Sequence, residues 1–83
     1  MKIYLTTFYF DHSVCVRRPY VNLELCISVI ENYIYKENQF DGRIRFWGRC
    51  HGKYLKVITL EDGLTIHNAY FDRGFNPKKR GLE

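Results

Sequence analysis

Three histidines, His12, His51 and His67, are the side chains of this 83-residue sequence whose ordinary titration range lies near neutrality. Two imidazoles on either side of one phosphodiester suit RNA cleavage without a metal. One takes the proton of a ribose 2′-hydroxyl and the other protonates the departing 5′-oxygen. His12 and His67 are the candidates for that pair. His51 falls in a turn-forming His51-Gly52-Lys53 and is expected only to be exposed. An arginine must hold the phosphate and its growing charge, and Arg45 and Arg73 are of the right type. His67 sits mid-strand in "LTIHNAYFDRGF", with Asn68 beside it and Asp72-Arg73 at the strand's end. Asn68 and Arg73 therefore read as its supports, and Arg43 as a phosphate contact. Each of these residues also has a structural reading, as a hydrogen-bonded sheet residue or a solvated loop residue.

The competing uses of the same residues are weaker. His12-x-x-Cys15 and Cys50-His51 would supply four zinc ligands, but adjacent strand residues point to opposite faces, which is poor chelate geometry. No local motif makes a cysteine a nucleophile, and there is neither a Gly-rich phosphate loop nor a close carboxylate pair. The chemistry expected here needs no metal and no cofactor. Trp47, between Arg45 and Arg49, reads either as a stacking platform for a base or as a packed core residue.

These groups have to be positioned by the elements around them. Residues 2–10, "KIYLTTFYF", read as a first strand, and 11–20 as a loop or short helical turn that Pro19 closes. Asn22 is a preferred helix cap, and Leu23, Cys26, Ile27, Ile30, Tyr33 and Ile34 repeat as one buried stripe, so a helix is predicted over about 22–34. Strands follow at 35–39, 43–50, 54–60 and 64–71, separated by Phe40-Asp41-Gly42, His51-Gly52-Lys53 and Glu61-Asp62-Gly63. The fold class is α+β: an N-terminal strand and loop, then one main helix packed on a curved antiparallel sheet.

Strand register decides what His67 faces. With three-residue loops in the last two hairpins, Ile44, Phe46, Ile58, Leu60, Leu64 and Ile66 share one face. Arg43, Arg45, Thr59, Thr65 and His67 then share the other. Lys56 and Asn68 fall on the apolar side in that register, and a one-residue slip at either turn would rearrange the set.

The length suits one domain, residues 1–81, with Leu82-Glu83 reading as a vector scar. A net charge of +4 is unevenly spread: residues 1–41 carry four basic and five acidic groups, residues 42–83 nine and four. A basic half suggests a polyanionic partner such as RNA, or else a solvated surface. Three cysteines, an odd number with no secretory segment before them, suit a reducing cytoplasm. No apolar run approaches the ~20 residues of a membrane span.

"DGRIRFWGRC" and "YLKVITLEDGLTIHNAYFDRGF", with "DHSVCVRR" and "CISVIENYIY" before them, resemble a family of small, uncharacterised bacterial proteins over most of residues 10–76. More distantly the layout is similar to the barnase/EndoU/colicin/RelE-like superfamily, which includes the RelE and BrnT toxins. That resemblance implies helices followed by a curved antiparallel sheet. It further implies a metal-independent endoribonuclease, the toxin of a toxin–antitoxin pair, with an antitoxin as partner. Carried onto this sequence, it supports His12, Arg17 or Arg18, Arg45, His67 and Arg73. This chain is less basic than most such toxins. The alternative is a non-catalytic module of the same fold that binds RNA or a protein, and a third is a homodimer with no site of its own.

Overall fold

The computed structural model describes residues 2–81. The proposed scar at 82–83 lies outside them. Five strands form one open sheet in the order β1-β5-β4-β3-β2. These are β1 (Leu5–Thr6), β2 (Tyr35–Asn38), β3 (Ile44–Cys50), β4 (Lys53–Thr59) and β5 (Thr65–Phe71). The class is α+β, as the hydrophobic patterning predicts. The sheet is mixed and not wholly antiparallel, because β1 pairs with β5 in parallel, Leu5 beside Thr65 and Thr6 beside Ile66. The long first strand expected over 2–10 is only these two residues. The chain then leaves the sheet in a π-helical turn, Phe10–Val14, and a single α-turn, α1 (Cys15–Arg17).

The main helix, α2 (Leu23–Glu31), starts where its cap demands: the Asn22 side chain accepts the Leu25 N–H. It ends at Asn32, short of the 22–34 span the stripe suggests. Cys26, Val29 and Ile30 are its buried residues, while Tyr33 lies beyond its end and meets Phe46 edge-on. Phe10, Val14, Val21, Phe46, Leu55, Val57, Ile66 and Ala69 complete the core between the helices and the sheet. At Gly48 helix and sheet come close together: a Cβ built there would lie 3.1 Å from Val29 Cγ1.

The expected register of β4 is off by one residue, for a local reason. His51 has φ +53° and Gly52 φ +74°, so the β3–β4 connection is a two-residue turn of the primed type that suits strand twist. Cys50 therefore pairs with Lys53, Phe46 with Val57 and Arg45 with Ile58. Thr59 moves into the core, fully buried, and Ile58 moves to the opposite face with Arg45. Lys56 comes opposite Trp47.

The opposite face carries a second, smaller packing centre. Trp47 is 2% exposed, stacked on Phe75 at 5.3 Å and covered by Tyr35. The Trp47 Nε1–H donates to Asp72 Oδ2 at 2.9 Å, which draws residues 72–80 across the sheet. Trp47 is thus a packing residue, not an exposed platform. A row of cations and rings crosses this face, Arg80 over Tyr35 and Trp47, Lys56 over Trp47 and Tyr70, and Arg18 over Tyr70. Lys56 is 9% exposed, with Nζ donating to the Tyr70 hydroxyl at 2.9 Å. Among the described residues no helix is long and apolar enough to cross a membrane.

Candidate functional site

β5 pairs with β4 in regular antiparallel order from Leu55–Phe71 to Ile58–Asn68, and then Thr59 pairs with Ile66. One residue of β5 is left over, and it is His67. A bulge of this kind re-aims a side chain and bends its strand. It also places Asn68 opposite Ile58, in one cross-strand row with Arg45 and Glu37.

The parallel β1 strand supplies the partners of His67. Thr7, directly after β1, donates its backbone N–H to the Ile66 carbonyl, which sets its side chain beside the bulge. Thr7 Oγ1 lies 3.1 Å from His67 Nδ1, and the same oxygen accepts the Phe10 N–H. The ring of Tyr9 packs 5.1 Å from the imidazole. Arg17, two helical turns further on, donates from Nη2 to the Tyr9 hydroxyl at 2.9 Å, and its Nε donates to the Ser13 carbonyl. Arg18 Nη1 donates to Asn68 Oδ1 at 3.5 Å. Among the described residues, no hydrogen bond engages His67 Nε2.

Burial is the larger of two effects that push the His67 pKa below the ordinary histidine value; the Arg43 charge adds to it. Both favour the neutral imidazole at pH 7. A neutral ring with one nitrogen held and the other available has the form a general base needs.

The eight candidate residues are placed unequally. His67 and Arg17 meet through Tyr9, with the charge of Arg43 acting on His67, while Arg18 and Asn68 form a separate pair beside them. His12 is exposed, and its ring stacks on Phe8 at 4.0 Å, whereas the ring against His67 is Tyr9. Arg45 is held by Glu37 at 3.4 Å, and Glu37 is shared with Arg80. The Arg45 Nε is buried without a partner. Arg73 stands in the turn beyond the far end of β5, past Phe71, which is already about 13 Å along the strand from His67. Thr7 and Tyr9 carry no signal in the sequence that joins them to His67. Their approach depends on a strand pairing between residues some sixty positions apart.

The thiols are poorly suited to nucleophilic work. Burial pushes Cys26 up to about 12, with Cys15 and Cys50 adding to the effect, and it raises Cys15 and Cys50 as well. Among the described residues, no group of three or more His, Cys, Asp or Glu side chains is placed to hold a metal ion. Comparison with protein-family models, with curated proteins and with solved structures finds no match.

Proposed function

We propose that this chain is a metal-independent endoribonuclease that uses His67, and that it acts in the cytoplasm as a toxin held by an antitoxin. What carries the reading is the placement of His67: a bulged, half-buried imidazole, fixed at Nδ1 by Thr7, packed on Tyr9 and kept neutral by burial and Arg43. With Nδ1–H donated to Thr7 Oγ1, Nε2 takes the proton of a ribose 2′-hydroxyl. The 2′-oxygen bonds to phosphorus, the bond from phosphorus to the 5′-oxygen breaks, and that oxygen receives a proton from the Tyr9 hydroxyl. Arg17, bonded to that hydroxyl, stabilises the phenolate left behind. Arg43 and Arg18 supply positive charge for the phosphate. Tyr9 here fills the role assigned from sequence to His12.

Exposed apolar side chains on the N-terminal segment, Ile3, Phe8 and Val16, support a protein partner such as an antitoxin on that side. The second reading is a non-catalytic module that binds RNA. Arg45 favours it, because one of the three groups assigned to catalysis is engaged in an ion pair with Glu37. Product chemistry tests the first reading. Single-stranded RNA incubated with the protein in a chelator should yield 2′,3′-cyclic phosphate ends. Products with 3′-hydroxyl ends, or cleavage that a chelator abolishes, would contradict it.

A further inference from the structure

The face of the molecule near the end of β5 carries a groove that the His67 chemistry does not use. Its larger lobe, about 510 Å³, is lined by Tyr20, His51, Lys53, Phe71 and Arg73. A second lobe, about 270 Å³, shares Lys53, Phe71 and Arg73 with it and opens on the Trp47 face of the sheet, beside Tyr54 and Phe75. Aromatic rings therefore stand in both lobes, and two cations stand at the waist between them.

The electrostatics of the waist favour an anion. No ion pair engages Lys53 or Arg73 among the described residues. The larger lobe has no carboxylate in its lining. In the smaller lobe the one carboxylate is Asp72, which keeps its charge but accepts from Trp47 Nε1 and the Gly74 N–H, on the Trp47 side and away from the larger lobe. Phe71 carries two contacts, with Tyr20 stacked on it at 5.4 Å and Lys53 Nζ 5.3 Å from its centroid. Its packing holds Tyr20 at the groove wall with half of its surface still exposed. Tyr54 is half-buried between Phe75 and the Arg49 guanidinium, which lies 5.7 Å from its ring centroid, so it is no stacking platform.

We infer that this groove binds single-stranded RNA, with a phosphodiester at Lys53 and Arg73 and a neighbouring base against Tyr20. The chemistry matches at both points: cations for the phosphate, an exposed ring for the base beside it, and no hydrogen-bonding code that would demand one sequence. The groove rests on the RNA reading for its ligand class but not on cleavage, since Phe71 lies about 13 Å along β5 from His67. It extends the RNA path past the reactive phosphate.

The test is fluorescence anisotropy of a short 5′-labelled oligouridylate, titrated into the His67→Gln protein so that cleavage cannot consume the probe. Lys53→Ala with Arg73→Ala should weaken binding and lower the slope of log affinity against log salt by about 0.7 for each cation removed. Tyr20→Ala should weaken binding roughly 5- to 150-fold and leave the slope unchanged. A duplex of the same length, with its bases paired, should bind more weakly than the single strand. Both cations and Tyr20 are on the surface, and circular dichroism melting confirms that the variants fold. Unchanged binding in the double variant, equal binding of duplex, or no binding at all would overturn the inference. RNA binding that depends on the groove in a wild-type protein that cleaves nothing sinks the ribonuclease reading and leaves the groove standing. Cleavage by wild-type protein with a groove that contributes nothing does the reverse.

Discussion

His67 Nδ1 and Thr7 Oγ1 meet at 3.1 Å across a junction that joins the first strand of the chain to its last. The contact ties the orientation of a titratable ring to the seating of a two-residue strand. It also ties that ring to the start of the helical segment, because Thr7 Oγ1 accepts the Phe10 N–H. Thr7→Val keeps the shape and removes both hydrogen bonds. Stability should fall by roughly 1–2 kcal/mol, and RNA cleavage should fall with it, while Thr7→Ser retains most of both. Cleavage by Thr7→Val at the wild-type rate, measured on the folded protein, would show that the ring needs no such anchor.

The lowered pKa of His67 makes a signed prediction for stability. In the unfolded chain the imidazole titrates near its ordinary value of about 6.5. In the fold its pKa lies lower, from burial first and Arg43 second. Between those two values the unfolded chain binds more protons than the fold. Stability is therefore lost as pH falls through about 6.5, and the loss levels off below the folded value. His67→Gln removes this term while leaving the other histidines in place. On acidification from about pH 8 to pH 5, the wild-type melting temperature should drop more than that of His67→Gln. Parallel curves would place the ring in a more solvated or better compensated setting.

The contact of α2 with β3 is tight at Gly48 and well filled at Ile30, which is 6% exposed. Ile30→Ala should cost roughly 2–5 kcal/mol. Gly48→Ala pushes a methyl against the Val29 side chain and should cost about 1–3 kcal/mol through overpacking. Chemical denaturation measures both. Losses within the ~0.5 kcal/mol of ordinary surface changes would mean the helix does not seat there.

The β3–β4 turn has a non-glycine residue with positive φ, His51, followed by Gly52. Asn tolerates that region better than His and is favoured before Gly in primed turns. His51→Asn should raise the melting temperature by a small amount, and Gly52→Val should lower it. Equal melting temperatures for Gly52→Val and wild type would argue for a longer loop and a different β4 register.

Much of the fold is legible in the residues, and its failures are local. Asn22 marks the helix start because its side chain has an N–H to accept, and Cys26 and Ile30 mark the buried stripe. The Glu61-Asp62-Gly63 turn is legible for a similar reason: Asp62 accepts the Leu64 and Thr65 N–H groups. The β4 register is misread because His51 is not an obvious left-handed residue, so a two-residue turn looks like a three-residue one. That slip puts Lys56 among apolar residues and hides its place between Trp47 and Tyr70.

The candidate site divides in the same way. His67 and Asn68 stand out as polar residues in a strand. Their bulge does not, because the last hairpin also departs from the predicted register: Thr59 pairs with Ile66 and not Thr65, and one more residue is absorbed before Ile58 meets Asn68. Arg45 stands out by alternation with Arg43, yet its partner Glu37 is settled by pairing with a strand read only as polar. Thr7 and Tyr9 look like ordinary strand residues. Only the parallel pairing and the π-turn after it turn them towards His67.

The most direct measurement compares RNA cleavage by the wild-type protein and by His67→Gln, with a chelator present throughout. General acid–base groups contribute roughly 10²–10⁴-fold, so the variant should lose that much activity while its melting temperature at neutral pH stays within a few degrees of wild type. A folded His67→Gln protein that cleaves as fast as wild type would contradict the assignment of His67. Wild-type protein that cleaves no RNA, alone or with ribosomes, would contradict the ribonuclease reading itself.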